Sequence, residues 1–128
     1  MPIMTIHLVE GRKSDAQMAE CASAITAVAS ATLESVLPRM VRIAFIESAA
    51  RYVAQSGQTP GGSALPTVLF QLGPGRSDPA IAECIRQMTE AIGRTLDESP
   101  ANIRIFIVRD PGTYFSIGGA FKFENQAK

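Results

Sequence analysis

Hydrophobic residues along this chain follow two spacings, and the pair of spacings occurs twice. Residues 3–9 are rich in β-branched and apolar side chains and hold no glycine or proline, which predicts a strand. From residue 16 to 33 the apolar positions Met18, Cys21, Ala22, Ile25, Val28, Ala29 and Leu33 return every three or four residues, the pattern of an amphipathic helix. Gly11-Arg12-Lys13 reads as the turn between them, with Ser14 and Asp15 placed to cap the helix. Pro38 bars the helix from continuing, and residues 41–46 read as a second strand. The same order then returns. Residues 68–72 read as a strand, Gly73-Pro74-Gly75 as a turn and Ser77-Asp78-Pro79 as a helix start. Ile81, Cys84, Ile85, Met88, Ala91, Ile92 and Leu96 form the matching stripe, and residues 103–108 the matching strand.

The repetition extends to individual residues. Met1-Pro2-Ile3-Met4-Thr5-Ile6 through Gly11-Arg12 corresponds to Leu65-Pro66-Thr67-Val68-Leu69-Phe70 through Gly75-Arg76, 64 positions later. The offset narrows to 63 between Cys21 and Cys84 and to 62 between Arg42 and Arg104, so the first half carries two extra residues, Lys13 and one near Pro38. Each half is therefore β-α-β, a unit whose strands are parallel and joined by a right-handed helical crossover. The expected fold is α/β (α+β): two tandem units forming one four-stranded sheet with two helices on one face. The other face stays apolar and calls for a partner chain. The expected division is a single domain, 1–128, built of a first repeat (1–56), a glycine- and proline-bearing linker (57–64) and a second repeat (65–128). Residues 114–121 read as a short hairpin or capping strand.

Composition narrows the function classes. A half of about 60 residues is marginal as a separate core, so intimate pairing and oligomerisation are expected. Twelve basic and twelve acidic residues give zero net charge and no electrostatic footprint for nucleic acid. No apolar run reaches the ~18 residues of a membrane-spanning helix, and no basic and apolar leader precedes the first strand, so the expected address is the cytoplasm. Cys21 and Cys84 occupy matching Ala-Glu-Cys triplets, outside any CxxC spacing, and His7 is the single histidine. They read as buried thiols, not a metal site or a disulfide.

The chemically distinctive difference between the halves is Pro2. It follows Met1 directly, so removal of Met1 makes it a free secondary amine, whereas Pro66 is held within the chain. A structural role, the opening of a strand, competes with a chemical one at Pro2 and is all that is open to Pro66.

Pro2-Ile3 with Ile6-His7-Leu8, Glu10-Gly11-Arg12 and Val41-Arg42-Ile43 resembles the 4-oxalocrotonate tautomerase family. So do Gly75-Arg76-Ser77-Asp78, Ala91-Ile92-Gly93-Arg94-Thr95-Leu96-Asp97, Ile103-Arg104-Ile105 and Phe115-Ser116-Ile117-Gly118-Gly119. Two copies spanning nearly the whole chain are similar to the fused, double-length members of the tautomerase superfamily. The resemblance implies an amino-terminal proline as acid-base catalyst, no metal or organic cofactor, a small carboxylic acid substrate and a homotrimer. It places Arg12 and Arg76 at the family's strand-end arginine position, Arg42 and Arg104 at its second-strand position, and Phe115 at its pocket aromatic, with Val53 as the repeat mate. By analogy with fused members, Arg76 serves Pro2 and Arg12 lies beside Pro66, while Arg42 or Arg104 comes from an adjacent subunit. Exposed arginines in surface ion pairs are the alternative, weighing about equally for Arg12 and less for Arg76. His7 reads as a satisfied or exposed side chain.

Two departures bear on the reaction. Dehalogenase members place a water-activating carboxylate near the pocket aromatic, where this chain has Ile117 and no acid is expected before Glu124. Decarboxylase members carry an aspartate before the second strand, where this chain has Leu37-Pro38-Arg39. The expected activity is therefore conversion of a 2-hydroxydienoate or enol-pyruvate-like acid to its keto form. The alternatives are a promiscuous hydratase or dehalogenase using the same proline, and a non-catalytic binding or scaffold protein.

Overall fold

A computed structural model of the chain describes residues 2–122. Strand β1 (Ile3–Val9) leads into helix α1 (Asp15–Thr32), and β2 (Arg42–Ser48) returns parallel to β1. The second half repeats this with β3 (Thr67–Leu72), α2 (Asp78–Leu96) and β4 (Arg104–Arg109), β4 parallel to β3. The halves join through β1 and β3, which pair antiparallel with Ile3 opposite Gln71 and His7 opposite Thr67. The sheet order is β2-β1-β3-β4, so the two repeats are related by a pseudo-twofold between the central strands. A hairpin of β5 (Ser116–Ile117) and β6 (Ala120–Phe121) follows.

Strand alternation decides which face the helices cover. Met4, Ile6 and Leu8 of β1 and Val68, Phe70 and Leu72 of β3 are buried. They form one core with Cys21, Ile25, Ala29 and Leu33 on the α1 side and Cys84, Met88, Ile92 and Leu96 on the α2 side. The intervening positions point the other way, and there Leu69 pairs with both Thr5 and Phe106 in register. Phe106 is 70% exposed and Ile46, Leu69 and Val108 are also open, so the second face carries uncovered apolar side chains, though Thr5, His7, Thr67 and Gln71 make it more polar than the patterning predicts.

Local signals account for the element ends. Ser14 caps α1 in a reciprocal capping box with Gln17, and the Ser77 hydroxyl accepts from the Ala80 amide at the start of α2, where proline occupies the first turn. α1 ends at Thr32, six residues before Pro38. Leu33 is already extended and Ser35 is left-handed (φ 58°), so local backbone geometry ends the helix and Pro38 instead opens a short 3-10 turn, Pro38–Met40. The hairpin turns on Gly118 and Gly119, both at positive φ (62° and 88°), a two-residue loop that suits glycine. Cys21 and Cys84 are free and buried, and burial pushes both thiols up. Their smaller opposing influences are pseudo-symmetric: a side-chain hydrogen bond with Thr95 for Cys21 and with Thr32 for Cys84.

Candidate active site

The antiparallel pairing of β1 with β3 places the start of each beside the end of the other. Pro2 thus lies where the Gly73–Arg76 turn leaves the sheet, and Pro66 where the Gly11–Arg12 turn does. Both prolines are fully buried, and each carbonyl accepts a 3.0 Å hydrogen bond from a second-strand arginine amide, Arg42 for Pro2 and Arg104 for Pro66.

Ile3, the residue after Pro2, lines two adjoining cavities. One of about 70 Å³ is walled by Gln71, Leu72, Gly73, Asp110, Gly112 and Phe115. The other, about 390 Å³, is walled by Arg39, Met40, Arg42, Phe115, Ile117 and neighbours. Phe115 borders both, so the sequence-predicted aromatic, Arg42 and the residue next to Pro2 come together at this end of the sheet. The Phe115 backbone accepts from the Lys122 amide (2.9 Å) and donates to the Gly112 carbonyl (3.2 Å), which ties the hairpin across the site.

Arg76 is steered to the same end by its own turn. Its Nη1 reaches the Pro74 carbonyl at 3.3 Å, and Arg109 Nη2 donates to the Arg76 carbonyl at 2.7 Å, pinning the turn to the end of β4. Arg76 Nε is buried without a hydrogen-bond partner among the described residues, and so is Arg12 Nε at the opposite end. A buried donor left unpaired costs about 1–3 kcal/mol, which a bound acceptor would recover. Glu34 sits beside this turn. Its carboxyl is held below the ordinary carboxylate range chiefly by hydrogen bonds from Ser77 and, as a smaller influence, by the charge of Arg76.

A two-repeat sheet with this register has close structural counterparts. A solved native fused 4-OT superimposes with a TM-score of 0.84 at 24% identity, over 93% of this chain and 94% of that one. A fused 4-OT solved as an asymmetric trimer gives 0.83 at 22% identity over the same shares, and N1, of the cis-3-chloroacrylic acid dehalogenase family, gives 0.80 at 15%, over 97% and 88%. No protein-family profile matches the chain. In sequence, 2-hydroxymuconate tautomerase of Stutzerimonas stutzeri is 36% identical over 55 residues, which are 87% of that protein and 43% of this chain. The chain belongs to the 4-oxalocrotonate tautomerase family. It is a fused member: one of its halves is about the length of that relative.

In this fused tautomerase chain the Pro66 end is built differently. A cavity of about 290 Å³ is lined by His7, Val53, Ala64, Thr67, Asn102 and Arg104 among others, with Val53 where the Pro2 end has Phe115. Lys13, one of the two extra residues of the first half, forms a buried 2.9 Å ion pair with Glu98, the two side chains 10% and 4% exposed. Glu98 also accepts from Ser63 Oγ (2.7 Å), the Ala64 amide (3.0 Å) and Asn102 Nδ2 (3.3 Å), fastening the linker and the β4 approach to the end of α2. Burial is the largest single influence on Glu98 and raises its pKa. The Ala64, Lys13 and Ser63 hydrogen bonds together outweigh it, and the net direction is downward.

Three residues at these sites escaped the sequence reading. Arg39 lines the Pro2-end cavity although its repeat mate is Ala101, and Asn102 lines the other. Asp110 is an acid at the Pro2 end, nearer in the chain to Phe115 than Glu124, which lies outside the described residues. Its Oδ1 accepts from the Gly112 amide at 2.6 Å. The mate of Asp110 is Ser48, so the repeat comparison carried no sign of a paired carboxylate.

Proposed function

We propose that this chain is a tautomerase that converts a 2-hydroxydienoate or enol-pyruvate-like carboxylic acid to its keto form, with Pro2, freed by removal of Met1, as the acid-base group. The observation that carries the reading is the convergence at one sheet end of buried Pro2, the Phe115 wall, and the turn bearing Arg76, whose buried Nε has no partner among the described residues. Burial and nearby guanidinium groups disfavour the charged amine and bring its pKa down from the ordinary α-amino value of about 8. The proline nitrogen takes the 2-hydroxyl proton, the O–H electron pair becomes the carbonyl, and the enol double bond accepts the proton back at carbon. The family-based assignment has Arg76 grip the carboxylate through a planar fork, and Arg42 or Arg104 of an adjacent subunit hold the keto-acid end. Arg12 belongs to the Pro66 end. The reaction moves a proton and no net electrons, so it calls for no redox cofactor.

The assembly that fits is a homotrimer with the open sheet face inside. Support comes from the exposed apolar side chains Ile46, Leu69, Phe106 and Val108, and from the trimeric fused 4-OT neighbours. No helix among the described residues is long and apolar enough to cross a membrane, and a cytoplasmic address is part of the proposal. So are the boundaries 1–56, 57–64 and 65–128 within one domain.

Asp110 supports a second reading, hydration of an unsaturated acid, because a carboxylate at the Pro2 end can activate water. The deciding assay follows ketonisation of 2-hydroxymuconate by ultraviolet absorbance with mass-verified, Met1-free protein beside Pro2→Ala and Asp110→Asn. A rate abolished by Pro2→Ala and retained in Asp110→Asn establishes tautomerisation. No rate above buffer for the processed protein removes that substrate, and Asp110-dependent hydration of an unsaturated 2-oxo acid establishes the second reading.

A further inference from the structure

We propose that the cavity at the Pro66 end is a second, non-catalytic binding site for a small carboxylic acid with an apolar body. Pro66 is locked in the chain and cannot act as an amine, yet this end keeps Arg104, the repeat mate of Arg42, on the cavity wall. Arg104 Nη1 donates to the Ala101 carbonyl at 2.6 Å, and among the described residues its guanidinium has no carboxylate partner. A guanidinium steadied by one backbone carbonyl has further donors left for an anion, and its fork matches a carboxylate. Val9, Val53 and Leu65 supply the apolar wall, while Thr67 and His7 add polar groups on the sheet side. The volume, about 290 Å³, is near the lower end for small-molecule pockets.

The wall is preorganised by the Lys13–Glu98 pair. Glu98 holds Ala64 and Asn102, both of which line the cavity, and Lys13 has no counterpart in the second repeat. One of the two insertions that break the repeat therefore fastens the wall of the pocket that has no usable amine.

His7, the single histidine, is a reporter at this end, about 13 Å along β1 from Ile3. The test is titration of the full protein with but-2-enoate, following the His7 Cε1–H resonance, beside the neutral but-2-enamide. The acid shifts the resonance saturably and the amide leaves it in place. Arg104→Ala weakens the acid at least about tenfold, and Ala54→Trp, which fills the cavity mouth, abolishes the shift. Both substituted residues are exposed in the single chain and lie outside the core between helices and sheet, so the fold of the chain is kept. No shift, an equal shift with the amide, a shift unchanged by Arg104→Ala, or one lost on filling the Pro2-end cavity through Ile117→Trp overturns the proposal. It does not rest on catalysis at Pro2, since the His7 shift is expected to persist in Pro2→Ala.

Discussion

The backbone amide of Arg42 donates to the carbonyl of Pro2 at 3.0 Å, so Pro2 is anchored to β2 through an atom that any residue would provide. The ring nitrogen takes no part in that bond. Pro2→Ala therefore keeps the anchor and changes the amine. The expected outcome is a thermal midpoint within about 4 °C of the parent, the shift that roughly 1 kcal/mol produces, with tautomerase activity down by at least about 100-fold. Calorimetry and the absorbance assay on the same preparation separate the two effects.

The two strand-end arginines share a buried Nε without a hydrogen-bond partner among the described residues but lie at opposite ends of the β1–β3 pair. Loss of a charge-assisted contact of about 1.5–3 kcal/mol at the reacting end lowers kcat/KM by about ten- to a hundredfold. Arg76→Ala is expected to show that loss and Arg12→Ala a loss at least tenfold smaller. Equal losses would assign both arginines to the same site.

The β-α-β order was legible because periodicity, capping residues and turn glycines all agree, as at Ser14, Ser77 and Gly118-Gly119. The repeat alignment also exposed what distinguishes the ends: Pro2 from Pro66 and Lys13 as an insertion. It could not show that Lys13 finds Glu98, because the partners are far apart in sequence and meet only when the halves pack. Thr95 is a different omission. It falls on the apolar stripe of α2 and is buried, its hydroxyl donating to the Ala91 carbonyl at 2.7 Å, so a polar residue satisfied within its own helix stands where periodicity calls for a hydrophobe. Arg39 and Asn102 lie in the three-residue 3-10 turns Pro38–Met40 and Pro100–Asn102 that precede β2 and β4, too short for spacing to carry facial information.

The Lys13–Glu98 pair predicts a specific response to acid. The Glu98 carboxyl is lowered from its ordinary value of 4.5 on folding. Its contribution is fully present above that value and is lost as pH falls through the lower folded value. Glu98→Gln leaves Lys13 buried without its charge partner and is expected to cost about 3 kcal/mol near neutral pH. The difference in thermal midpoint between the parent and Glu98→Gln should narrow below about pH 4.5 as the parent loses that contribution. A difference that stays constant into strong acid contradicts the assignment.

Cys21 and Cys84 predict a probe of global stability. Both are buried between the helices and the sheet, and burial keeps their thiols protonated. Labelling by a thiol reagent under native conditions is expected to track the unfolding equilibrium, with both sites reacting together across a denaturant series. Rapid labelling of one cysteine alone would mean that its helix opens independently.

The open sheet face sets the last prediction. Phe106 is 70% exposed in the single chain, directly beside Leu69, which in turn neighbours Thr5 in register. Phe106→Glu removes no contact from the core between helices and sheet, so the chain should fold with β-α-β circular dichroism intact. A carboxylate at the centre of the proposed trimer core would be buried without a partner at a cost of several kcal/mol per subunit. Light scattering is expected to read a trimer for the parent and a monomer for the variant. A parent that is already monomeric at micromolar concentration removes the trimer, and with it any arginine contributed by an adjacent subunit, leaving Arg76 and the chain's own Arg42 to hold the substrate.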